Sequence, residues 1–280
     1  MKRILCLSAL IVFAAAVFTP KLDAKAMRIV SLAPSTTEIL FALGLDEEIV
    51  GVSQFCDYPS KALLKSRVGT MSEPNIELIS ALKPDIVFCT GLEQAPVVAK
   101  MKRLNMNVFV SDPASIAELL GSIRQMGDIT GRGKEAAALT ERMLDEIESV
   151  QADVRLVPYT KRPKVFFEIW HNPLMTVGPG SIIDDLITIA GGINIAHDLG
   201  SQYGNFSPEE LIRRNPDYIF MGYMYKTRAT PLFENRMGWK DVSAVRNNRI
   251  YNDIDPDILL RPGPRIIEAL KEVHARLYER

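Results

Sequence analysis

Short apolar runs alternate with amphipathic stretches along the first half of the chain. Runs with the spacing of buried strands occupy residues 28–32, 49–53, 85–89 and 107–110. The stretches between them place apolar residues at helical spacing over residues 35–43, 75–82 and 93–104. Strands that alternate with helices in this way predict an α/β fold, with a mainly parallel sheet and helices on both faces.

The expected helices carry start and stop signals. Ser35-Thr36-Thr37-Glu38 has the form of a capping box, and Gly44 follows the helical run as a terminator. Asn75 is expected to cap the second helix, which Pro84 ends. These signals predict where the elements of the first half begin and end.

The middle of the chain contains two helical patterns in succession. Residues 115–130 and 134–154 each carry an apolar stripe, and Gly131-Arg132-Gly133 interrupts them. The next strand-like run is at residues 165–169. We therefore predict an N-terminal α/β lobe over 27–130, a linking backbone helix over 131–160 and a C-terminal α/β lobe over 161–280.

The second half resumes the alternation, with helices expected at 181–190 and 262–278 and strands at 217–221 and 249–252. Residues 75–88, NIELISALKPDIVF, align without gaps to residues 207–220, SPEELIRRNPDYIF. One interpretation is an internal repeat, so that two similar lobes enclose a cleft of the kind that ligands favour. The other is that caps and Pro stops are generic and make any two helix-strand units look alike.

Residues 1–26 have the pattern of a secretory signal peptide. Lys2 and Arg3 precede an apolar run over 4–18, and Ala24-Lys25-Ala26 supplies the small residues of a cleavage site. The apolar run is shorter than the ~20 residues that a membrane span needs. An uncleaved membrane anchor is the alternative. We expect cleavage after about Ala26 and a periplasmic location.

Composition limits the classes of function. The 280 residues include 33 Lys+Arg and 34 Asp+Glu, so bulk charge does not favour nucleic acid as a partner. The 47% hydrophobic content excludes a disordered chain. Cys56 and Cys89 follow the predicted signal peptide, and export makes a disulfide between them one interpretation. Two separate, partly buried thiols are the interpretation we favour.

Sequence motifs of enzymes are absent. The chain has no G-x-S-x-G and no H-E-x-x-H, and Gly131-Arg132-Gly133-Lys134 is followed by Glu135 instead of the Ser or Thr of a phosphate loop. Only His171, His197 and His274 are available for a His-rich zinc site. We expect a binding protein without catalytic residues or a metal site. An exported α/β enzyme is the alternative, and it would require a catalytic pair in the cleft.

Four segments together resemble one protein family: RIVSLAPSTTEILFALGL, GVSQFCDYP, NIELISALKPDIV and DILLRPGPRIIEAL. They are similar to periplasmic substrate-binding proteins of ABC importers for cobalamin, haem and iron-siderophores. The resemblance covers nearly all of residues 27–280. It implies two Rossmann-like lobes joined by one long α-helix, with a ligand cleft between the lobes. We expect a monomer that binds a small-molecule metal chelate and docks on ABC transporter permease subunits.

The resemblance also implies the docking residues. In this family one surface Glu on each lobe contacts Arg residues of the permease, and the matching positions are Glu77 and Glu209. These are the same two residues that the internal alignment pairs. Alternatively, a Glu in the first turn of a helix complements the helix dipole, which contributes ~0.3–1 kcal/mol. The two roles are compatible.

The segments are most similar to those of the cobalamin-binding members, whose ligand-facing positions match Phe55, Met71, Thr90, Met175, Tyr203, Asp257 and Arg261. Aromatic and Met walls suit the apolar faces of a corrinoid, and polar groups suit its edge amides. The chain departs from those members at Met71, Thr90 and Tyr203, where they have Trp. The resemblance implies cobalamin or a related corrinoid as the transported ligand, with no catalytic cofactor.

Haem or a ferric siderophore is the alternative ligand. Tyr58 is a candidate phenolate ligand for haem iron, or else anchors a turn. Trp170 and His171 follow a predicted strand, so His171 is either a metal ligand in the cleft or a hydrogen-bonded loop residue. Arg261 would bind a carboxylate of such a ligand, or else pair with Asp257 four residues earlier.

Overall fold

The computed structural model describes residues 26–91, 94–223 and 236–278. The predicted signal peptide lies outside these ranges except for its last residue. Within them the chain forms two α/β lobes, each built on its own sheet. None of the helices in these ranges is long and apolar enough to cross a membrane.

The first sheet is parallel throughout its described strands. These are β1 Ile29–Ser31, β2 Ile49–Val52, β3 Ser66–Arg67, β4 Ile86–Cys89 and β5 Val108–Val110. Their order is β3-β2-β1-β4-β5, and every neighbouring pair is parallel. Helices are α1 Pro34–Ala42, α2 Ile76–Ala81 and α3 Ala95–Arg103, with a 3-10 turn at Ser60–Leu64. The carboxyl ends of the strands therefore share one edge, where ligands bind in open α/β sheets.

Two packed helices follow, α4 Ile116–Thr130 and α5 Gly133–Arg155. Ser115 caps α4, and its hydroxyl accepts a hydrogen bond from the Glu118 N–H at 3.1 Å. Gly131 ends α4 with a φ of 72°, a left-handed conformation that favours glycine. Helix α5 has 23 residues and is therefore about 35 Å long. Along the chain it lies between the strands of the first sheet and those of the second.

The second sheet is mixed. Its described strands are β6 Lys164–His171, β7 Leu174–Val177, β8 Ile193–Asn194, β9 Tyr203–Asn205, β10 Tyr218–Met221 and β11 Ile250–Tyr251. The order is β11-β10-β6-β7-β9, with β8 also on β6, and β7 is antiparallel to both its neighbours. The prediction of a mainly parallel sheet misses this hairpin. The link between β6 and β7 is too short for a parallel crossover, which needs a dozen or more residues.

The remaining helices complete the second lobe. They are α6 Ile182–Ile189, α7 Pro208–Arg214, α8 Ser243–Arg246, α9 Pro256–Leu260 and α10 Ile266–Tyr278, with 3-10 turns at Tyr159–Lys161 and Trp239–Asp241. The predicted closing helix over 262–278 corresponds to α10, which begins four residues later than expected, and α9 is a short helix that precedes it. The bend between them contains Pro262, Gly263 and Pro264, residues that disfavour a continuous helix.

The internal alignment corresponds to the same unit in both lobes. β4 pairs with β1, the first strand of its lobe, and β10 pairs in the same way with β6. The Asp85 carboxylate accepts a hydrogen bond from the Arg28 N–H at 2.7 Å, and Asp217 accepts one from the Lys164 N–H at 2.9 Å. The shared Pro-Asp therefore has a structural purpose, because each Asp satisfies the first backbone donor of a central strand.

The capping box predicted at Ser35 is wrong. α1 begins at Pro34, with Ala33 as the N-cap residue and no side-chain cap. Proline is favoured at the first helical position, so Ser35 already lies inside the helix. Glu38 is consequently free of a capping role, and its buried side chain contacts Arg265 of the second lobe.

One apolar core extends through both lobes. It includes Phe88 of the first sheet, Met126 of α4, Ile147 of α5, Phe220 of the second sheet and Leu270 of α10. α4 also contacts α6, where the Ile116 N–H donates to the Asp185 carboxylate at 2.8 Å. Interiors of this kind are densely packed and transmit strain. The two sheets are therefore held by shared packing along α4 and α5 as well as by a chain connection.

Candidate ligand site

The predicted ligand-facing residues of the first lobe all follow strands at the carboxyl edge of the first sheet. Phe55 comes after β2, Met71 after β3 and Thr90 directly after β4. The Phe55 side chain is 55% exposed, and Met71 and Thr90 are partly exposed. The structure therefore brings these three positions to one edge, as expected for a site between lobes.

Cys56, which is buried, anchors the loop that carries Phe55 to the interior of the first lobe. The Cys56 sulfur lies 3.1 Å from the hydroxyls of both Thr37 and Ser53. The Arg67 guanidinium donates to the Cys56 carbonyl at 2.8 Å. Phe55 is therefore presented to solvent by a buried polar network.

The two cysteines are free thiols, as favoured from the sequence. Cys56 and Cys89 are both fully buried. Burial raises the pKa of the Cys56 thiol, against the hydrogen bonds from Ser53 and Thr37, and raises the pKa of Cys89 to about 12. Neither thiol is therefore ionised at neutral pH.

An aromatic group stands at the carboxyl edge of the second sheet. Trp170 and His171 end β6, and Tyr223 comes just after β10. Their ring centroids lie 5.2 to 6.2 Å apart. Beneath them the buried Glu168 accepts hydrogen bonds from the Tyr223 hydroxyl and from both terminal nitrogens of Arg236, at 2.7 and 2.8 Å. Burial and then Glu168 raise the pKa of the Tyr223 phenol well above its usual range.

Met175 and Tyr203 lie on two paired antiparallel strands, β7 and β9, that the sequence did not predict. β7 carries Met175, and its Val177 pairs with Tyr203 on β9. The Tyr203 side chain is 50% exposed. Partial burial and then the negative charge of Asp112, which follows β5 of the first lobe, raise the pKa of its phenol.

Arg261 is engaged by carboxylates of both lobes. The predicted pair with Asp257 is present at 3.0 Å. A shorter contact of 2.6 Å joins Arg261 to Asp57 of the first lobe, and Glu38 lies 3.6 Å away. Burial raises the pKa of Asp57, but the Arg261 guanidinium outweighs burial and holds that pKa below its usual range.

Arg265 forms the second contact across the lobes. Its Nε and Nη2 atoms donate to the two carboxylate oxygens of Glu38 at 2.8 and 2.6 Å. The same guanidinium lies 3.9 Å from the centre of the Tyr58 ring. We call the group of Glu38, Asp57, Arg261 and Arg265 the lobe clasp. Bidentate arginine–carboxylate pairs are strong and fix the relative orientation of the two groups. The lobe clasp therefore holds α1 of the first lobe against the start of α10 in the second lobe.

Asp112 adds a carboxylate at the same edge of the first sheet. It follows β5 and is exposed, and it lies so close to Gly91 that a Cβ there would collide with the carboxylate. No ion pair of Asp112 occurs within the described ranges. This carboxylate is available to solvent or to a ligand.

The predicted docking residues occupy equivalent exposed places. Glu77 lies in the first turn of α2 and Glu209 in the first turn of α7. The preceding residues, Asn75 and Ser207, cap the two helices as predicted. A hydrogen bond from the Ser207 hydroxyl lowers the pKa of Glu209, so this side chain is ionised at neutral pH.

Sequence reasoning missed several residues around the site. Glu38 was interpreted as part of a cap, and Asp112 and Glu168 carry no motif. Gln94, at the N-cap of α3, is fully buried. The sequence carried no signal for it, because the predicted helix began at residue 93 and placed Gln94 inside its first turn. In the part of the chain that the structure describes, no three His, Cys, Asp or Glu side chains are grouped to hold a metal ion.

Comparisons with known proteins agree with this geometry. A family model described as periplasmic binding protein matches residues 29–256. An uncharacterized ABC transporter substrate-binding lipoprotein, YvrC, of Bacillus subtilis is 31% identical over 256 residues, covering 90% of this chain and 80% of the relative. The vitamin B12-binding protein of Vibrio cholerae is 29% identical over 270 residues, 91% of each chain.

Solved structures are similar over nearly the whole described fold. A possible iron-binding (periplasmic solute-binding) protein from Staphylococcus epidermidis has a TM-score of 0.80 at 30% identity, covering 91% of this chain and 100% of that one. The periplasmic haem-binding protein of Roseiflexus sp. RS-1 has a TM-score of 0.77 at 27% identity, covering 91% and 98%.

The chain therefore belongs to the periplasmic binding protein family. Within it, the chain is an ABC transporter substrate-binding protein of the group that includes vitamin B12-, haem- and iron-binding members. The two-lobed α/β fold predicted from the sequence is confirmed.

Proposed function

We propose that this protein captures cobalamin or a related corrinoid between its lobes and delivers it to the permease of an ABC importer. Phe55 of the first lobe and Trp170 and Tyr203 of the second offer exposed aromatic rings. Met71 and Met175 add adaptable apolar surface beside them. Large apolar faces with a rim of amides, as a corrinoid has, suit such walls.

The charge balance at the lobe junction is the observation that carries this proposal. Arg261 and Arg265 are already paired with Glu38 and Asp57, and Asp257 also binds Arg261. Three carboxylates thus surround two cations, and the exposed Asp112 adds a further negative charge at the carboxyl edge of the first sheet. An anionic chelate would have to break these pairs or face unpaired carboxylates, which is costly in a partly dry site. A ligand with neutral amides is favoured.

Ligand titration of the purified chain lacking residues 1–26 tests the proposal. We expect one-to-one binding of cyanocobalamin, followed by calorimetry, and weaker binding of haemin and of a ferric siderophore. Tyr203→Ala should weaken cyanocobalamin binding about tenfold, because a ring contact contributes on the order of 1–2 kcal/mol. Tyr159→Ala, which removes a ring that is 66% exposed on a 3-10 turn, is the control. Binding of haemin alone would contradict the proposal.

Haem is the second candidate because of Tyr58. Its ring is 45% exposed at the lobe junction, and the Arg265 guanidinium lies over it. Tyrosine phenolate is one of the axial ligands that hold haem iron. On this alternative, haemin binds with a visible absorbance band that Tyr58→Phe removes. Loss of that band in the variant, with no cyanocobalamin binding by the parent protein, would favour haem.

We further propose that Glu77 and Glu209 dock on arginines of the permease. Both are exposed in the first turn of the equivalent helices α2 and α7. Replacing both with Arg should abolish ligand uptake in cells and leave ligand affinity unchanged. Glu141→Arg, at an exposed position on α5, is the control. Lost affinity with intact docking would contradict the assignment.

Export is the remaining part of the proposal. We propose that residues 1–26 direct secretion and are removed in the periplasm. N-terminal sequencing of protein recovered from the periplasm should then begin at about Met27. An intact N-terminus on membrane-bound protein would instead indicate an uncleaved anchor.

A further inference from the structure

Gln94 occupies a helix N-cap without capping the helix. It precedes α3, and its side chain makes no hydrogen bond to the first turn of that helix. The residue is completely buried. A buried primary amide must find partners elsewhere, because an unsatisfied one costs free energy. Its bonding therefore reveals what the residue holds.

The Gln94 amide joins three strand ends of the first sheet. Its Oε1 accepts a hydrogen bond from the Thr90 N–H at 2.7 Å, just beyond β4. Its Nε2 donates to the Met71 carbonyl at 2.7 Å, after β3, and to the Leu32 carbonyl at 3.1 Å, after β1. The Gln94 side chain therefore donates both of its amide hydrogens and accepts one hydrogen bond at its oxygen.

These partners are backbone groups that the sheet ladder leaves unpaired. Beyond the last ladder pair, a strand end must bond to water or to a side chain. Where a bound ligand excludes water, only the side chain can keep these groups satisfied. An internal bridge also fixes the segments before the ligand arrives, which lowers the cost of ordering them on binding.

We propose that Gln94 is a positioning residue, which holds the Met71 and Thr90 segments in their ligand-facing arrangement. The inference rests on the proposed function, because that function assigns Met71 and Thr90 to the ligand. Gln94 itself acts through these two segments and makes no contact with the ligand.

Asn194 of the second lobe offers a matched control. It is also buried, and its amide also makes three hydrogen bonds. Nδ2 donates to the Val177 carbonyl at 3.0 Å and to the Asp184 carboxylate at 2.7 Å, and Oδ1 accepts from the Ala196 N–H at 3.0 Å. None of these partners is a proposed ligand-facing residue. Substitutions at the two amides therefore each remove three hydrogen bonds, in places with different roles.

Affinity for cyanocobalamin separates positioning from general stability. Gln94→Leu should weaken binding about tenfold, whereas Asn194→Leu should lower the unfolding temperature and leave the affinity of the folded protein unchanged. Equal affinity changes in both variants would overturn the proposal. So would unchanged affinity in Gln94→Leu.

The pH dependence of affinity in Gln94→Glu is a readout that a purely structural role would not produce. This variant also replaces Gln94→Leu as the test if Gln94→Leu does not fold. The new carboxyl keeps the acceptor for Thr90 but, when ionised, faces the Met71 and Leu32 carbonyls with no proton. Complete burial of this position raises the pKa of the new carboxyl. Affinity should therefore recover as pH falls through that raised pKa. A pH profile parallel to that of the parent protein would overturn the proposal.

Hydrogen exchange in the ligand-free protein distinguishes failure of this proposal from failure of the proposed function. Gln94→Leu should speed exchange in peptides covering residues 69–74 and 89–91, and Asn194→Leu should speed it around β8 instead. If cyanocobalamin does not bind the parent protein but this exchange pattern appears, the ligand assignment fails while the bridging role of Gln94 stands. Unchanged exchange at both peptides would overturn the bridging role.

Discussion

Glu38→Gln should destabilise the protein substantially, because Glu38 is the buried centre of the lobe clasp. The side chain is only 2% exposed, and it accepts two hydrogen bonds from Arg265, whose side chain is 14% exposed. Arg261 lies 3.6 Å away and is 17% exposed. The change preserves the shape of the side chain and removes its charge. It therefore tests the ion pair with little change in packing.

The size of the loss follows from what each arginine retains. Removing one partner of a buried ion pair costs about 3–5 kcal/mol when the other charge is left unpaired. Arg261 keeps Asp57 and Asp257, so only Arg265 loses its carboxylate. The new amide oxygen still accepts one of the two hydrogen bonds. We therefore expect a decrease of about 2–3 kcal/mol in the free energy of unfolding.

Urea unfolding followed by tryptophan fluorescence measures this decrease. Glu148→Gln is the control, because it breaks a pair of 2.6 Å with Arg155 in which the two side chains are 64% and 58% exposed. Exposed pairs contribute about 0–1 kcal/mol, so the control should change little. Equal losses in both variants, or a loss below about 1 kcal/mol in Glu38→Gln, would refute the reasoning that burial makes the clasp strong.

Three further predictions concern other parts of the chain. Cys56 and Cys89 should react with dithiobis(nitrobenzoate) only after unfolding, because both are buried and the pKa of Cys89 is raised to about 12; rapid reaction of the native protein would contradict this. Hydrogen bonds from two neighbouring arginines lower the pKa of Glu210 from 4.5 to about 2. The stability difference between the parent and Glu210→Gln should therefore be present above pH 4.5 and disappear as pH falls through 2, as followed by unfolding midpoints. Asp85→Ala should cost about 1 kcal/mol in urea unfolding and Asp217→Ala about 1–2 kcal/mol, because Asp85 accepts one side-chain hydrogen bond and Asp217 accepts a second, at 3.4 Å, from the Ser243 hydroxyl. The two losses should add in the double variant, and strong non-additivity would count against two separate units.

Local patterns predicted much of the fold. The parallel strands of the first lobe read as apolar runs because both faces of such a sheet are buried. Helix α4 was predicted over residues 115–130, since the apolar stripe and the interruption at Gly131 are both local signals. The repeat was visible for the same reason, because each Pro-Asp acts on a strand next to it.

The errors occurred where two local signals compete or where pairing decides. At the start of α1, Pro34 prevails over the Ser35 capping pattern, and the helix starts one residue earlier. β7, which carries Met175, is recognisable only through its antiparallel pairing with β6 and β9. Cross-strand pairing is non-local, so a short apolar run does not reveal it.

The sequence by itself determined the alternation of elements, most helix ends and the alignment between the two halves, because these depend on residues a few positions apart. Tertiary structure alone decided the site. Asp57 meets Arg261 from 204 positions away, Glu38 meets Arg265 from 227, and Gln94 reaches Leu32 across 62. The two ion pairs form because the folded lobes bring α1 and the start of α10 together, and the Gln94 bond forms because strands of the first sheet end at a common edge.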